Sequence, residues 1–411
     1  MGLFLLTILS YFPVLFHIQE ILFFSLLTIA LLAGWIEGER PQFRTPIDRP
    51  LFLLVGWILL TIPFSLNPEY SFGEWRKLGA QCLVFYWAVY VIRKVSQGSF
   101  PEGVRRHSKN FGLLGGPLPH HYIFLGVIIG TLLLSALALG DFIGRGGGWQ
   151  DRTIRAAAPS SDYNWLSTYL VISIPILFYV GVISISLWGK GISFVTLGLS
   201  FLAHAASYTR AGWLASAVQV ILWGVVTRRR FLVVGIALGS ILVAMGLLAV
   251  FQMGYQSDTV NSWTLETRFK VWKLGIDQIL EHPILGIGYG NHIFQPVLAD
   301  TPMGEAPMHL HNTLLMVGVG TGIPGLLFFV WVFIGLGKEL FSKWRRTART
   351  EEHLKLCMGI VLVGFLCRNL FDYMFAGSLA YLFWILMACG LESHRRITPE
   401  LQERGASGRT A

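Results

Sequence analysis

Charge is scarce in this chain. Only 13% of its 411 residues are Asp, Glu, Lys or Arg, and 54% are hydrophobic, whereas soluble domains carry about 25% charge. The length alone would suit two or three soluble domains; the composition excludes them. Apolar–polar alternation is also lacking. The apolar runs last about 17–20 residues, which selects spanning helices over a closed barrel. There is no cysteine framework. Cys82, Cys357, Cys367 and Cys389 all fall in apolar runs without metal spacing, so they read as small core residues. No Asp-x-Asp clamp and no P-loop is present. A cationic leader is absent at the N-terminus, so the first apolar run reads as a span and not as a cleaved signal.

The positive charge is present but dispersed. The net charge is +9, yet it sits in short clusters between apolar runs, such as Arg228–Arg230 and Lys343–Arg349. That is the positive-inside pattern, not a nucleic-acid surface. The expectation is therefore an all-α polytopic membrane protein with about twelve transmembrane helices. The spans are placed at 2–17, 20–36, 51–66, 78–93, 122–140, 164–187, 191–207, 211–227, 231–250, 311–337, 356–371 and 377–393. The organisation is then N-terminal helices over 1–250, a large external loop over 251–310, C-terminal helices over 311–393 and a cytoplasmic tail over 394–411. Most of the 32 basic residues lie inside when both termini are cytoplasmic.

Some cations break that pattern. Arg145, Arg152, Arg155, Arg210 and Arg268 fall outside, and Arg368 lies near the outer end of a span. Within the large loop, residues 265–281 form an expected amphipathic helix. Leu265, Phe269, Trp272, Ile276 and Ile279 make its apolar stripe, Thr264 its N-cap, and Pro283 its end. This helix is expected on the membrane surface or as a roof over the bundle. Arg268 sits at the border of that stripe, beside Gly275.

Each candidate residue has a chemical and a bland meaning. Arg210, in Ser207–Trp213, and Arg268 can each grip a phosphate through a planar guanidinium fork, or simply snorkel to water. His311 stands at the expected first turn of a long span. The positive helix end there favours a neutral ring, which suits a general base acting on a hydroxyl. It could equally be an interfacial hydrogen-bonding histidine, or a metal ligand with His309, although no carboxylate cluster adjoins that pair in sequence. Asp372 can pair with Arg368, and Asp162 to Asn164 can cap a helix. The run from Glu281 to Asn291 is glycine-rich without Rossmann spacing, and fits a tight turn that lets the backbone approach a neighbour. No cofactor is called for.

Four segments together resemble the O-antigen ligase and polymerase superfamily of bacterial envelopes. They are Asp162-Tyr163-Asn164-Trp165-Leu166 with Ile174-Pro175; Thr209-Arg210-Ala211-Gly212; Arg268 and Trp272 followed by His282 to Gly288; and His311-Asn312 with Leu315, Gly322 and Gly325. Tyr163 stands where the family has a proline, and Ala211 where it has a glycine. The resemblance covers mainly residues 160–335.

It implies a GT-C-like membrane glycosyltransferase of the bacterial inner membrane. The donor would be an undecaprenyl-diphosphate-linked glycan, and the acceptor lipid A-core or a growing glycan. Membrane lipids would be the other partners. Arg210 and Arg268 would bind the diphosphate, with Arg145 or Arg152 in support, and His311 would activate the acceptor hydroxyl in an inverting, metal-independent displacement. A membrane transporter is the non-enzyme alternative, since twelve spans and intramembrane glycines suit one; yet the two halves show no internal repeat of the transporter kind.

Overall fold

The computed structural model describes residues 1–36, 38, 43–96, 119–148, 154–157, 159, 162–184, 186–227, 258–299, 309–342 and 350–392. The expected span 231–250, Arg152 and the tail from 394 lie outside the described residues. All regular structure among those described is helical.

The order is α1 (Gly2–Leu9), α2 (Phe16–Ile36), α3 (Asp48–Thr61), α4 (Pro68–Ser96), α5 (Pro119–Gly144), α6 (Tyr163–Ile183) and α7 (Leu187–Ala206). There follow α8 (Arg210–Thr227), α9 (Asp258–Glu281), α10 (Gln295–Ala299), α11 (Thr313–Phe341), α12 (Thr350–Asn369) and α13 (Gly377–Glu392). Among the described residues, five segments are long and apolar enough to cross a membrane: Pro13–Ile36, Pro68–Ser96, His120–Gly144, Tyr163–Ile183 and Thr313–Phe341.

The first expected span needs correction. The helix does not run from 2 to 17, and the break does not fall between His17 and Glu20. It falls after Leu9, because Pro13 lacks an N–H and pushes the residue before it out of the helical region. The eight residues of α1 reach only about 12 Å, far short of a bilayer core. The polar Gln19 that suggested a boundary has another task. Its amide donates to Ser10 Oγ (2.6 Å) and the Leu6 carbonyl (3.2 Å), which clamps α2 against the end of α1.

α13 is the hub. Every residue from Ser378 to Glu392 is buried, as expected for a helix that is apolar all round. It packs along α4, and α6 packs against α7 and α12. At one end of the bundle Arg93 forks onto Glu392, with Nε to Oε2 and Nη2 to Oε1 both at 2.7 Å, and Lys355 meets Glu339 at 2.7 Å. α4 and α13 therefore run in the same direction. Their starts, and those of α6, α8 and α11, gather at the opposite end, where the candidate site lies.

α9 also starts earlier than expected. It begins at Asp258, so Thr264 lies inside the helix and is not its cap. Over residues 268–281 its buried positions are Val271 and Gly275, whereas Phe269, Ile276 and Leu280 are largely exposed. On a helix of 3.6 residues per turn that exposed row lies about 160° from Val271. The expected stripe is thus split: one face packs on the protein and the other is left bare, as lipid contact requires.

The glycine-rich run docks into a broken helix. α11 leaves helical geometry at Gly322 (φ 69°, ψ −175°) and carries Pro324 just beyond. The freed carbonyls of Val319 and Gly320 accept from the backbone of Ile287 (2.9 Å) and Gly288 (3.0 Å). Gly286 has φ +67°, and a Cβ there would come within 2.5 Å of the Gly320 and Thr321 backbone. What the turn approaches closely is therefore α11 itself.

Candidate functional site

The site is built around one carboxylate. Asp372 lies in the short loop between α12 and α13 and is 3% exposed. Its Oδ1 accepts from His309 Nε2 (3.1 Å), His311 Nδ1 (3.2 Å) and its neighbour's backbone, Tyr373 N (2.9 Å). Its Oδ2 accepts from Arg368 Nη2 at 3.3 Å. Burial alone would raise this carboxyl. The bonds from His309 and His311 and the charge of Arg368 outweigh burial and hold it well below the ordinary carboxylate range.

That ionised state fixes the two rings. A carboxylate only accepts, so the nitrogen facing it on each histidine carries the proton. His311 then presents Nε2 as an acceptor when neutral, the arrangement in which a carboxylate orients an imidazole base. The two rings lie 4.1 Å apart. His311 is not in the first helical turn as expected. It precedes the N-cap, Asn312, whose side chain takes the Leu315 N–H at 3.1 Å. Its own φ is +48°, an uncommon conformation for a residue with a side chain. Thr313 secures the corner by donating to Asn369 Oδ1 at 2.7 Å.

The network extends through Arg368, which is 1% exposed. It reaches Asn164 Oδ1 at 2.8 Å. Asp162 caps α6 through the N–H groups of Asn164 (2.8 Å) and Trp165 (2.9 Å). Polar groups from the starts of α6 and α11 and the end of α12 thus converge.

Arg268 faces this cluster. It lies on α9 above Gly275, only about 20° away around the helix. A Cβ on Gly275 would meet Leu310 at 2.9 Å, and Trp272 Nε1 donates to the Leu310 carbonyl at 2.8 Å. α9 is thereby pinned on the segment that carries both histidines. Arg268 is half-buried and acts electrostatically on Arg368.

Arg210 is exposed at the first residue of α8, after Tyr208 with φ +49°. Gly212 lets α8 approach: a Cβ there would lie 1.8 Å from Ser167 Oγ and 2.8 Å from His204 Cε1. Arg145 is not brought into the cluster. It pairs with Asp141 and donates to the Arg155 carbonyl at 2.8 Å. Arg155 instead stands over the Tyr163 ring at 4.4 Å, beside the start of α6. Arg368, Asn164 and Arg155 were not singled out as site residues by sequence reasoning. Position at the start or end of an apolar run on the arginine-bearing side was a signal for all three; Arg368 was also paired with Asp372, and Asn164 lay in one of the four family-like segments.

The fold also supplies the carboxylate that the sequence neighbourhood of His309 and His311 lacks. One ligand atom from each of His309, His311 and Asp372 lies within 4.8 Å of the others. This is a three-ligand set in chemistry and spread. A cation there would have to displace both histidine–carboxylate bonds and sit next to the Arg368 guanidinium.

Two comparisons bear on this geometry. The O-antigen ligase family model matches residues 195–330. An O-antigen ligase of Salmonella typhimurium is 28% identical over 177 residues, 38% of this chain. Over residues 195–330 the chain is thus similar to the O-antigen ligase family. The aligned stretch spans 42% of the Salmonella relative's own length. The stretch matched by the family model contains Arg210, Arg268, His309 and His311. Arg368, Asp372 and Asn164 lie beyond it and join the site through the fold.

Proposed function

We propose that this protein is an inverting membrane glycosyltransferase of the O-antigen ligase type. The observation that carries the reading is His311, held through Nδ1 by the ionised Asp372, on the same end of the bundle as Arg268. The donor is an undecaprenyl-diphosphate-linked glycan and the acceptor is lipid A-core. The reaction takes place on the periplasmic side of the inner membrane, with both termini in the cytoplasm.

The acceptor hydroxyl gives its proton to His311 Nε2 as its oxygen attacks the anomeric carbon. The bond from that carbon to the diphosphate oxygen breaks, and the polyprenyl diphosphate departs. Arg268 and Arg210 offset the charge that builds on it. This assignment needs no metal, and Asp372 serves as the positioning residue for His311. An apolar cavity of about 290 Å³ runs along α8 below Arg210, lined by Pro175, Phe178, Phe201, Val220 and Trp223. Its lining suits the isoprenoid tail.

The purified protein, given lipid-linked O-polysaccharide and lipid A-core, should form the joined product without added divalent ion. Growth of the lipid-linked chain instead would mean a polymerase. Neither product would reopen the transporter reading. A loss on chelation that a divalent ion restores would move His309, His311 and Asp372 from base to metal ligands.

A further inference from the structure

A second cleft begins next to Asp372. Its lining includes Tyr373, the residue whose N–H binds that carboxylate, together with Tyr289, Gln81 and Tyr381. The inner part is about 290 Å³. An outer part of about 750 Å³ shares Glu20, Tyr70, Glu74 and Lys77 with it and opens between α2 and α4. Such a volume is that of a small-ligand cleft.

The chemistry of its walls differs from that of the arginine side. Lys77 is tied to Glu74 at 2.6 Å, and Glu20 and Glu69 add further negative charge, with Arg76 in the lining and His17 against Glu20. This lining does not select a diphosphate. It offers tyrosine rings, amides and carboxylates. Sugars match that set, because each hydroxyl both donates and accepts while the C–H face rests on aromatic rings. Burial raises the Tyr289 and Tyr373 phenols, so they meet a ligand as neutral hydroxyls.

Two buried polar atoms at the floor lack partners. Gln81 is 5% exposed and Tyr381 is 2% exposed, and neither Gln81 Oε1 nor the Tyr381 hydroxyl makes a hydrogen bond. The Glu20 carboxylate is close enough to draw on the Tyr381 hydroxyl without reaching full hydrogen-bond geometry. Native proteins rarely leave such atoms orphaned unless something else satisfies them. The outer mouth also adjoins an apolar surface: Ile18, Ile21 and Phe24 on α2 are exposed. A ligand that enters there can carry a lipid anchor beside a polar head.

We infer that the cleft between α2 and α4, floored by Gln81 and Tyr381, is the subsite for the acceptor glycan, a lipid-anchored oligosaccharide presented through its hydroxyls. The inference rests on the glycosyltransferase reading above. It places the acceptor on the Tyr373 side of the Asp372 loop and the donor diphosphate on the Arg268 side, with His311 between them.

The test uses the full-length protein with Gln81→Leu and Tyr381→Phe. Each change removes an atom that makes no full hydrogen bond in the protein, so the thermal midpoint should hold or rise in Gln81→Leu and change little in Tyr381→Phe. The KM for lipid A-core should rise about threefold to tenfold in each variant, as expected for one lost hydrogen bond, while the donor KM stays unchanged. An unchanged acceptor KM, an equal rise in donor KM, or a lowered midpoint in both variants would overturn the assignment.

If the wild-type protein transfers nothing, the functional reading fails and the cleft is tested by binding alone. Core oligosaccharide freed from lipid A is then titrated by saturation-transfer NMR. Binding by wild type that weakens in Gln81→Leu supports the subsite. No binding, or equal binding by both, refutes it.

Discussion

Replacing Asp372 with asparagine keeps the shape of the side chain and removes its charge. The cost is set by the groups around it. Oδ1 serves three N–H donors, and Oδ2 faces the Arg368 guanidinium at 3.3 Å. An amide has a single oxygen. If that oxygen stays with the histidines, the NH₂ group meets Arg368, donor against donor; if the amide flips, the histidines lose their acceptor. Breaking a buried pair costs about 3–5 kcal/mol. The remaining bond from Arg368 to Asn164 at 2.8 Å puts the cost near the lower end. Loss of ring orientation at His311 should lower transfer about 10²- to 10⁴-fold. Thermal midpoints in detergent and a gel-shift assay of lipid A-core read the two effects separately. Adding Arg368→Gln removes the stranded cation, so stability should recover in part while transfer does not. A single variant with wild-type transfer, or a double variant that regains rate along with stability, would refute the positioning role.

Other outcomes follow from the packing and from charge. The Asp372 carboxyl is depressed in the folded protein, so its stabilising contribution is complete above the ordinary carboxylate value, near 3.9. It is lost only as pH falls through the lower folded value. At pH 5 an infrared difference spectrum between wild type and Asp372→Asn should therefore show no protonated-carboxyl band; such a band would contradict the network. Gly212→Ala should destabilise the protein by about 1–3 kcal/mol through overpacking. Ser167→Ala, which deletes a hydroxyl without a partner, should restore part of that loss in a melting series; no rescue would mean that the clash lies elsewhere. Gly320→Ala places a Cβ 2.6 Å from the Gly288 carbonyl oxygen. It should lower the midpoint and speed proteolysis after residue 281, and unchanged cleavage would count against the docked turn.

The fold was legible in the sequence where the signal was local. Long apolar runs gave α5, α6 and α11 to within a few residues, because a lipid environment demands that backbone groups be paired along the segment; the break of α11 at Gly322 was not legible. The start of the chain was not legible. The polar residues His17, Gln19 and Glu20 looked like a boundary, yet Gln19 serves a tertiary hydrogen bond while Pro13 makes the break. The apolar row of α9 could be counted, but which side of it would face protein depends on Leu310, far along the chain. Arg268 and His311 stood out by type and place. Asp372 was legible as a partner for Arg368, four residues away; its role as organiser of both histidines was not, since it lies 61 residues beyond His311, and the other partner of Arg368, Asn164, lies 204 residues before it. Convergence over such distances belongs to the packing of α6, α11 and α12 and leaves no local pattern to read.

The central claim is that His311 takes the acceptor proton while arginines hold the departing diphosphate. Single-turnover transfer from lipid-linked O-polysaccharide to lipid A-core tests it most directly, with wild type, His311→Ala and Arg268→Ala inserted in lipid nanodiscs at matched amounts. The account predicts product from wild type, a rate at least about 10² lower for His311→Ala with donor binding retained, and weakened donor binding for Arg268→Ala. Wild-type transfer by folded His311→Ala protein would contradict it.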